Sequence, residues 1–131
     1  GNPIGHLTID CKKGEHCKKQ GLNLLTGPGN DIVSTTNLTA AGANIILFTT
    51  GRGTPLGASV PTIKVASNSR LAKRKSNWID FNAGELIKSN DFENMTEEIF
   101  KLLIDIASGR QTKNEQNGYR DISIFKDGVI M

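Results

Sequence analysis

The chain has 131 residues, 37% of them hydrophobic and 22% charged, with a net charge of +3 at pH 7. That is enough apolar material for one core and too little for two. No apolar run approaches the roughly 20 residues of a membrane helix and no signal-peptide pattern opens the chain, so no membrane partner and a cytoplasmic setting are expected.

Residues 1–20 read as an unplaced lead-in or linker, with Gly1 an expression scar. Cys11 and Cys17 stand there with His6 and His16, but the spacing CKKGEHC is not a usual zinc knuckle. Two exposed, reduced thiols are the plainer expectation in the cytosol. Basic clusters occur here, at Lys12, Lys13, Lys18 and Lys19, and again at Arg70, Lys73, Arg74 and Lys75. With one Trp, one Tyr and no stacking motif, the chain does not read as a nucleic-acid binder; a solvated helix face explains the second cluster, and a basic surface also suits a small anion.

The stretch GLNLLTG reads as a buried strand over 21–26 that runs into Pro28-Gly29-Asn30-Asp31 and a helix over 31–41. Asn30 or Asp31 suits its N-cap, because either side chain can accept from the unpaired amides of the first turn. A strand over 44–50 then ends at Thr49 and Thr50 and opens into GRGTPLG. Further expectations are a strand over 62–67, a short helix over 69–75 and a strand over 78–81. A longer helix is expected from Thr96 to Ser108, with Ile99, Leu102, Leu103 and Ile106 on one face as core. Lys113 to Gly118 reads as polar loop, and Asp121 to Phe125 as a last short strand. Strands separated by crossovers of this length run mainly parallel, so the predicted architecture is α/β: a three-layer, Rossmann-like sandwich in which strands 21–26, 44–50 and 62–67 are neighbours.

Ligands of such sheets sit beyond the carboxyl ends of the strands. The candidates there are Asn30 and Asp31 after the first strand, Thr49, Thr50, Gly51, Arg52, Gly53 and Thr54 after the second, Asn68 after the third, and Asp80 and Asn82 around the fourth. Arg52 is the first choice for a carboxylate, since its planar fork pairs both oxygens while the flanking glycines let backbone amides approach. Thr49, Thr50 and Thr54 could bond hydroxyls of a ligand. Asp80 is a candidate acid, base or metal ligand, set against the plainer reading of an Asp at a strand end as a turn or cap. The loop lacks GxGxxG after the first strand and the GK[ST] of a P-loop, which ranks a nucleotide-binding module low. A structural or dimerisation module with inert loops is a further alternative, and homo-oligomerisation is left open.

Taken in order, GLNLLTGPGND, AAGANIILFTTGRGTPLG, VPTIKVASNS, WIDFNAGELI and the closing IFKDGV resemble the C-terminal part of the altronate and galactarate dehydratase family, over about Gly21 to Met131. The resemblance implies an excised C-terminal α/β domain whose partners are the remaining domains of a longer parent enzyme. It also implies a hydro-lyase of hexuronate catabolism, dehydrating altronate to 2-keto-3-deoxygluconate, or a galactarate-specific relative. A divalent metal, Fe2+ or Mn2+, comes with that chemistry. The matched region contains no histidine or cysteine, so the resemblance places the base and most metal ligands on absent segments and leaves this part alone inactive. The family pattern DFDAG is met here by Asp80-Phe81-Asn82, which weakens any need for charge at position 82.

Overall fold

In the computed structural model, residues 14–18, 20–27 and 29–124 are described. Asn30 is extended, at φ −80° and ψ 125°, and its Oδ1 accepts from the amides of Ile32 and Val33. This satisfies two of the orphan donors that every helix start leaves and opens α1, Asp31–Ala40. The strands β1, Ile46–Thr50, β2, Thr62–Ala66, and β3, Phe81–Asn82, form one parallel sheet in the order β1-β2-β3. Their register pairs Ile46 with Thr62 and Val65 with Phe81, which brings their carboxyl ends to one edge. The connection from β1 to β2 is the stretch 51–61, with no helix in it.

All five residues of β2 are buried, as a central strand covered on both faces must be. Side chains alternate across a strand, so Ile63 and Val65 share one face, where they pack with Ile106 and with the half-buried Ile99, Leu102 and Leu103 of α4, Phe92–Ala107. Complete burial of Ile63 alone stabilises the fold by about 1.5–3 kcal/mol. On the other face Ala66 packs with Leu71 of α2, Ser69–Arg74, and with Ile79. The four apolar positions read from helical spacing as core therefore meet the sheet as expected.

Several expectations are corrected. The segment 21–26 is not a buried strand: Leu25 forms a single bridge, and Leu22 and Leu24 are exposed. The strand expected over 78–81 is a turn followed by the two-residue β3, because the amides of Trp78 and Ile79 close back on the Lys75 carbonyl. α4 begins four residues before Thr96, started by the Asp91 carboxylate accepting from the Asn94 amide. A single 3-10 turn, Ala83–Glu85, leads into the short α3, Leu86–Ser89. The polar loop over 113–118 contains a helix, α5, Lys113–Gln116, because Thr112 and Glu115 form a reciprocal capping box. No strand is formed over 121–124; Phe125 lies outside the described residues, as do Cys11, His6 and Pro28. Cys17 is disulfide-bonded, which corrects the free thiol expected there. The α/β class stands, with a wholly parallel sheet of three strands among the described residues.

Candidate anion site at the carboxyl edge of the sheet

Where β1 ends, the Thr50 hydroxyl accepts from the Gly53 amide at 2.9 Å, folding the loop back at once. Gly53 has φ +85°, a conformation that calls for glycine, and a Cβ there would stand 2.9 Å from Leu71 Cδ1, so the tip of that side chain would also have to shift. Where β2 ends, Asn68 performs two tasks. Its Oδ1 accepts from the Leu71 amide at 2.8 Å as the N-cap of α2, and its Nδ2 donates to the Gly51 carbonyl at 3.0 Å. One side chain thus ties the β1 loop to the start of α2.

Between them opens a cleft of about 430 Å³ lined by Gly51, Arg52, Asn68, Arg70, Leu71, Arg74 and Lys75. Four lining side chains are cationic and none is acidic. Lys75 is steadied by the Trp78 ring, with its Nζ 4.2 Å from the centroid. A neighbouring cleft of about 500 Å³ shares Asn68 and Arg70 and adds Lys73 and Lys88. The helix face read from sequence as merely solvated therefore contributes most of the charge. An open, like-charged concavity of this kind focuses field toward anions, and guanidinium forks match carboxylate or phosphate oxygens.

The structure divides the other sequence candidates. Asn30, Asp31 and Thr54 line a separate cleft of about 410 Å³ with Ile32, Pro55, Leu56 and Asp121. Thr49 is exposed and, by alternation, points to the face of β1 opposite Thr50. Asp80 has both carboxylate oxygens engaged: Oδ2 accepts from the Lys64 amide at 2.8 Å and Oδ1 from the Lys113 amide at 2.9 Å. Asn82 donates to Glu85 Oε1 at 2.9 Å and to the Ser69 hydroxyl at 3.2 Å, and Ser69 itself donates to the same Glu85 oxygen at 2.7 Å. The Ser69 hydroxyl first, then the charge of Lys88, hold the Glu85 carboxyl below the ordinary carboxylate range.

Sequence reasoning missed Lys64. It sits at the middle of β2 with no exposure at all, its Nζ donating to the Thr54 carbonyl at 2.5 Å and lying 4.9 Å from the Phe48 ring centroid. Burial pushes its ammonium down to about 8, against the opposing pull of Asp80, Asp31 and Asp121. The available signal was a lysine between Ile63 and Val65 in a run already read as a buried strand. Among the described residues, no three His, Cys, Asp or Glu side chains gather to hold a metal, and no helix is long and apolar enough to cross a membrane.

The family model described as D-galactarate/altronate dehydratase, C-terminal, matches residues 5–130. The chain belongs to this family. The match to the dehydratase C-terminal domain takes in most of the lead-in segment as well as the sheet and its loops. The domain is 50% identical to the altronate dehydratase of Escherichia coli (strain K12) over 90% of this chain and 24% of that protein. It is 46% identical to the altronate dehydratase of Bacillus subtilis (strain 168) over 98% of this chain and 26% of that protein. The galactarate dehydratase (L-threo-forming) of Escherichia coli (strain K12) is 35% identical over 89% of the chain and 23% of its own length. The chain thus spans about a quarter of the length of these curated relatives.

Proposed function

We propose that this chain is the substrate-anchoring domain of a cytoplasmic hydro-lyase that dehydrates altronate to 2-keto-3-deoxygluconate, with galactarate as the alternative sugar acid. The observation that carries this reading is the cleft of Arg52, Arg70, Arg74 and Lys75 at the carboxyl edge of the parallel sheet. Dehydration next to a carboxylate begins with loss of the α proton, which moves negative charge onto the two carboxylate oxygens. Cations already aimed at those oxygens hold the enediolate more strongly than the substrate, and so lower the barrier. Arg52 is assigned to that pairing. Asn68 and the Gly51 backbone hold the loop that presents it.

The described residues bring together no three His, Cys, Asp or Glu side chains to hold the divalent metal expected with this chemistry, Fe2+ or Mn2+. The same holds for the proton-abstracting base, since both oxygens of Asp80 are committed to backbone amides. Metal ligands and base are assigned to the remaining domains of the parent enzyme. The isolated chain is accordingly expected to give no 2-keto product from altronate with ferrous or manganous ion; turnover at an ordinary enzymatic rate would place the catalytic groups here instead.

Binding is tested by thermal shift of this chain with altronate, galactarate and nucleotides, where sugar acids are expected to raise the midpoint and nucleotides to leave it unchanged. The opposite pattern would favour a stand-alone nucleotide module. In the full-length enzyme Arg52→Ala is expected to lower kcat/KM at least about tenfold, the equivalent of about 1.4 kcal/mol of lost carboxylate pairing. Because Arg52 is exposed, the same change should alter the stability of this chain by no more than about 0.5 kcal/mol. An intact kcat/KM would show that the anion site lies elsewhere.

A further inference from the structure

The loop that carries Arg52 is held at its two ends by ordinary means. At the start, Thr50 Oγ1 accepts from the Gly53 amide and Asn68, whose Oδ1 accepts from the Leu71 amide, donates its Nδ2 to the Gly51 carbonyl. At the far end, Asp121 accepts from the Gly57 amide at 3.3 Å and donates its own amide to the Gly57 carbonyl at 2.5 Å. Midway between them, the side chain that grips the loop from below is that of Lys64, through the Thr54 carbonyl.

A lysine is a costly choice for that place. The central position of β2 is fully enclosed, and a methionine of similar length would fill it without taking a charge out of water. The ammonium carries three donors, of which one meets Thr54 and the Phe48 ring face lies nearby. The acidic groups facing it are Asp80 before β3, Asp31 on α1 and Asp121 on the C-terminal segment. Among the described residues none of the three forms an ion pair with it, and Asp80 and Asp121 already accept from backbone amides. Their field stabilises the charge without drawing the ammonium away from the loop.

Resting on the anion-site reading above, we infer that Lys64 is a positioning residue for the Arg52 cleft, its ammonium fixing the Thr54 carbonyl and with it the height of the loop above the sheet edge. A charged donor makes a hydrogen bond roughly twice as strong as a neutral one, so the grip weakens when the proton leaves. The lowered ionisation of Lys64, at about 8, places that loss within reach of ordinary assays. The effect on stability has the opposite sign. A group whose folded pKa lies below its unfolded value holds fewer protons when folded, so stability rises with pH from about 8 toward the ordinary lysine value of 10.5 while the grip is lost.

The test uses the full-length enzyme as wild type, Arg52→Ala, Lys64→Met and Lys64→Arg, with kcat and KM measured from about pH 6.5 to about pH 9.5. The wild type is expected to lose kcat/KM by about threefold or more on the alkaline side, with a midpoint near 8. Lys64→Met should lower kcat/KM about tenfold at neutral pH, mainly through KM, without that alkaline limb and with a thermal midpoint no lower than the wild type. Lys64→Arg, permanently charged, should recover part of the loss and also lack the limb. If Arg52→Ala lowers kcat/KM and Lys64→Met does not, the positioning role is overturned and the anion site stands; if Arg52→Ala has no effect, the site reading itself fails. Should Lys64→Met not fold, the Gly53 and Thr54 amide shifts of the unmutated protein decide the matter. They are expected to titrate with a midpoint near 8, and flat shifts across that range would overturn the role.

Discussion

Asp80→Ala is expected to destabilise this chain by about 2–6 kcal/mol, because two backbone amides lose their acceptor at once and each orphaned donor away from water costs about 1–3 kcal/mol. The amide of Lys64 lies in a strand buried on both faces, and that of Lys113 opens α5, so neither is free to turn to solvent. The Asp80 amide also donates to the Lys64 carbonyl at 2.9 Å, making the residue a staple between β2, the turn before β3 and α5. Asp80→Asn keeps one acceptor and should fall between wild type and alanine. Urea denaturation of the three proteins checks the order. If Asp80→Asn kept full stability while the full-length enzyme lost all turnover, Asp80 would be a catalytic group after all.

The second large effect is expected at Gly84. A Cβ built there would stand 2.3 Å from the Ser69 nitrogen and 2.5 Å from both the carbonyl carbon and the Cα of Asn68. These are backbone atoms at the start of α2, which cannot swing aside as a side-chain end can. Gly84→Ala must therefore push the 83–85 turn away from α2 and break the bonds that Ser69, Asn82 and Glu85 share. Overpacking of this kind costs about 1–3 kcal/mol and more against rigid neighbours. A thermal midpoint lower by at least about 5 °C is expected, and in the full enzyme a weaker anion site, since Asn68 is displaced with α2. An unchanged midpoint would mean that the 83–85 turn yields easily.

How far the sequence could be read followed from how local each signal is. Asn30 before an apolar-periodic run, the short helix that starts at Ser69 and the apolar face of α4 depend on neighbours within a few residues, and all three formed where expected, although the capping by Asn68 was not read from the sequence. The capping box of Thr112 and Glu115 is just as local, but its helix is four residues long and lies in a polar stretch that periodicity does not mark. GLNLLTG has the composition of a buried strand, yet burial needs a covering partner, and Leu22 and Leu24 have none among the described residues sufficient to hide them. At the candidate site, Arg52, Gly51 and Asn68 were legible because strand ends and small residues announce them. The contribution of Arg70, Arg74 and Lys75 was not. Whether a basic helix face points to open water or into a cleft depends on how α2 packs on the sheet, and that is set by Leu71, Ala66 and Ile79 together.

The stretch 51–61 that links two parallel neighbours is also the stretch that presents Arg52. A parallel connection must travel back along the whole of the strand it leaves, here about 16 Å for five residues at about 3.3 Å each. Some eleven residues reach at most about 36–40 Å when fully extended, and the two reversals of direction consume much of the difference. Most binding loops vary freely in length because their ends already lie side by side. This one spans a fixed gap. Side chains along the stretch can be exchanged, or the stretch lengthened, without disturbing the pairing, but deletion of more than a few residues would pull β1 and β2 out of register before it reshaped the cleft.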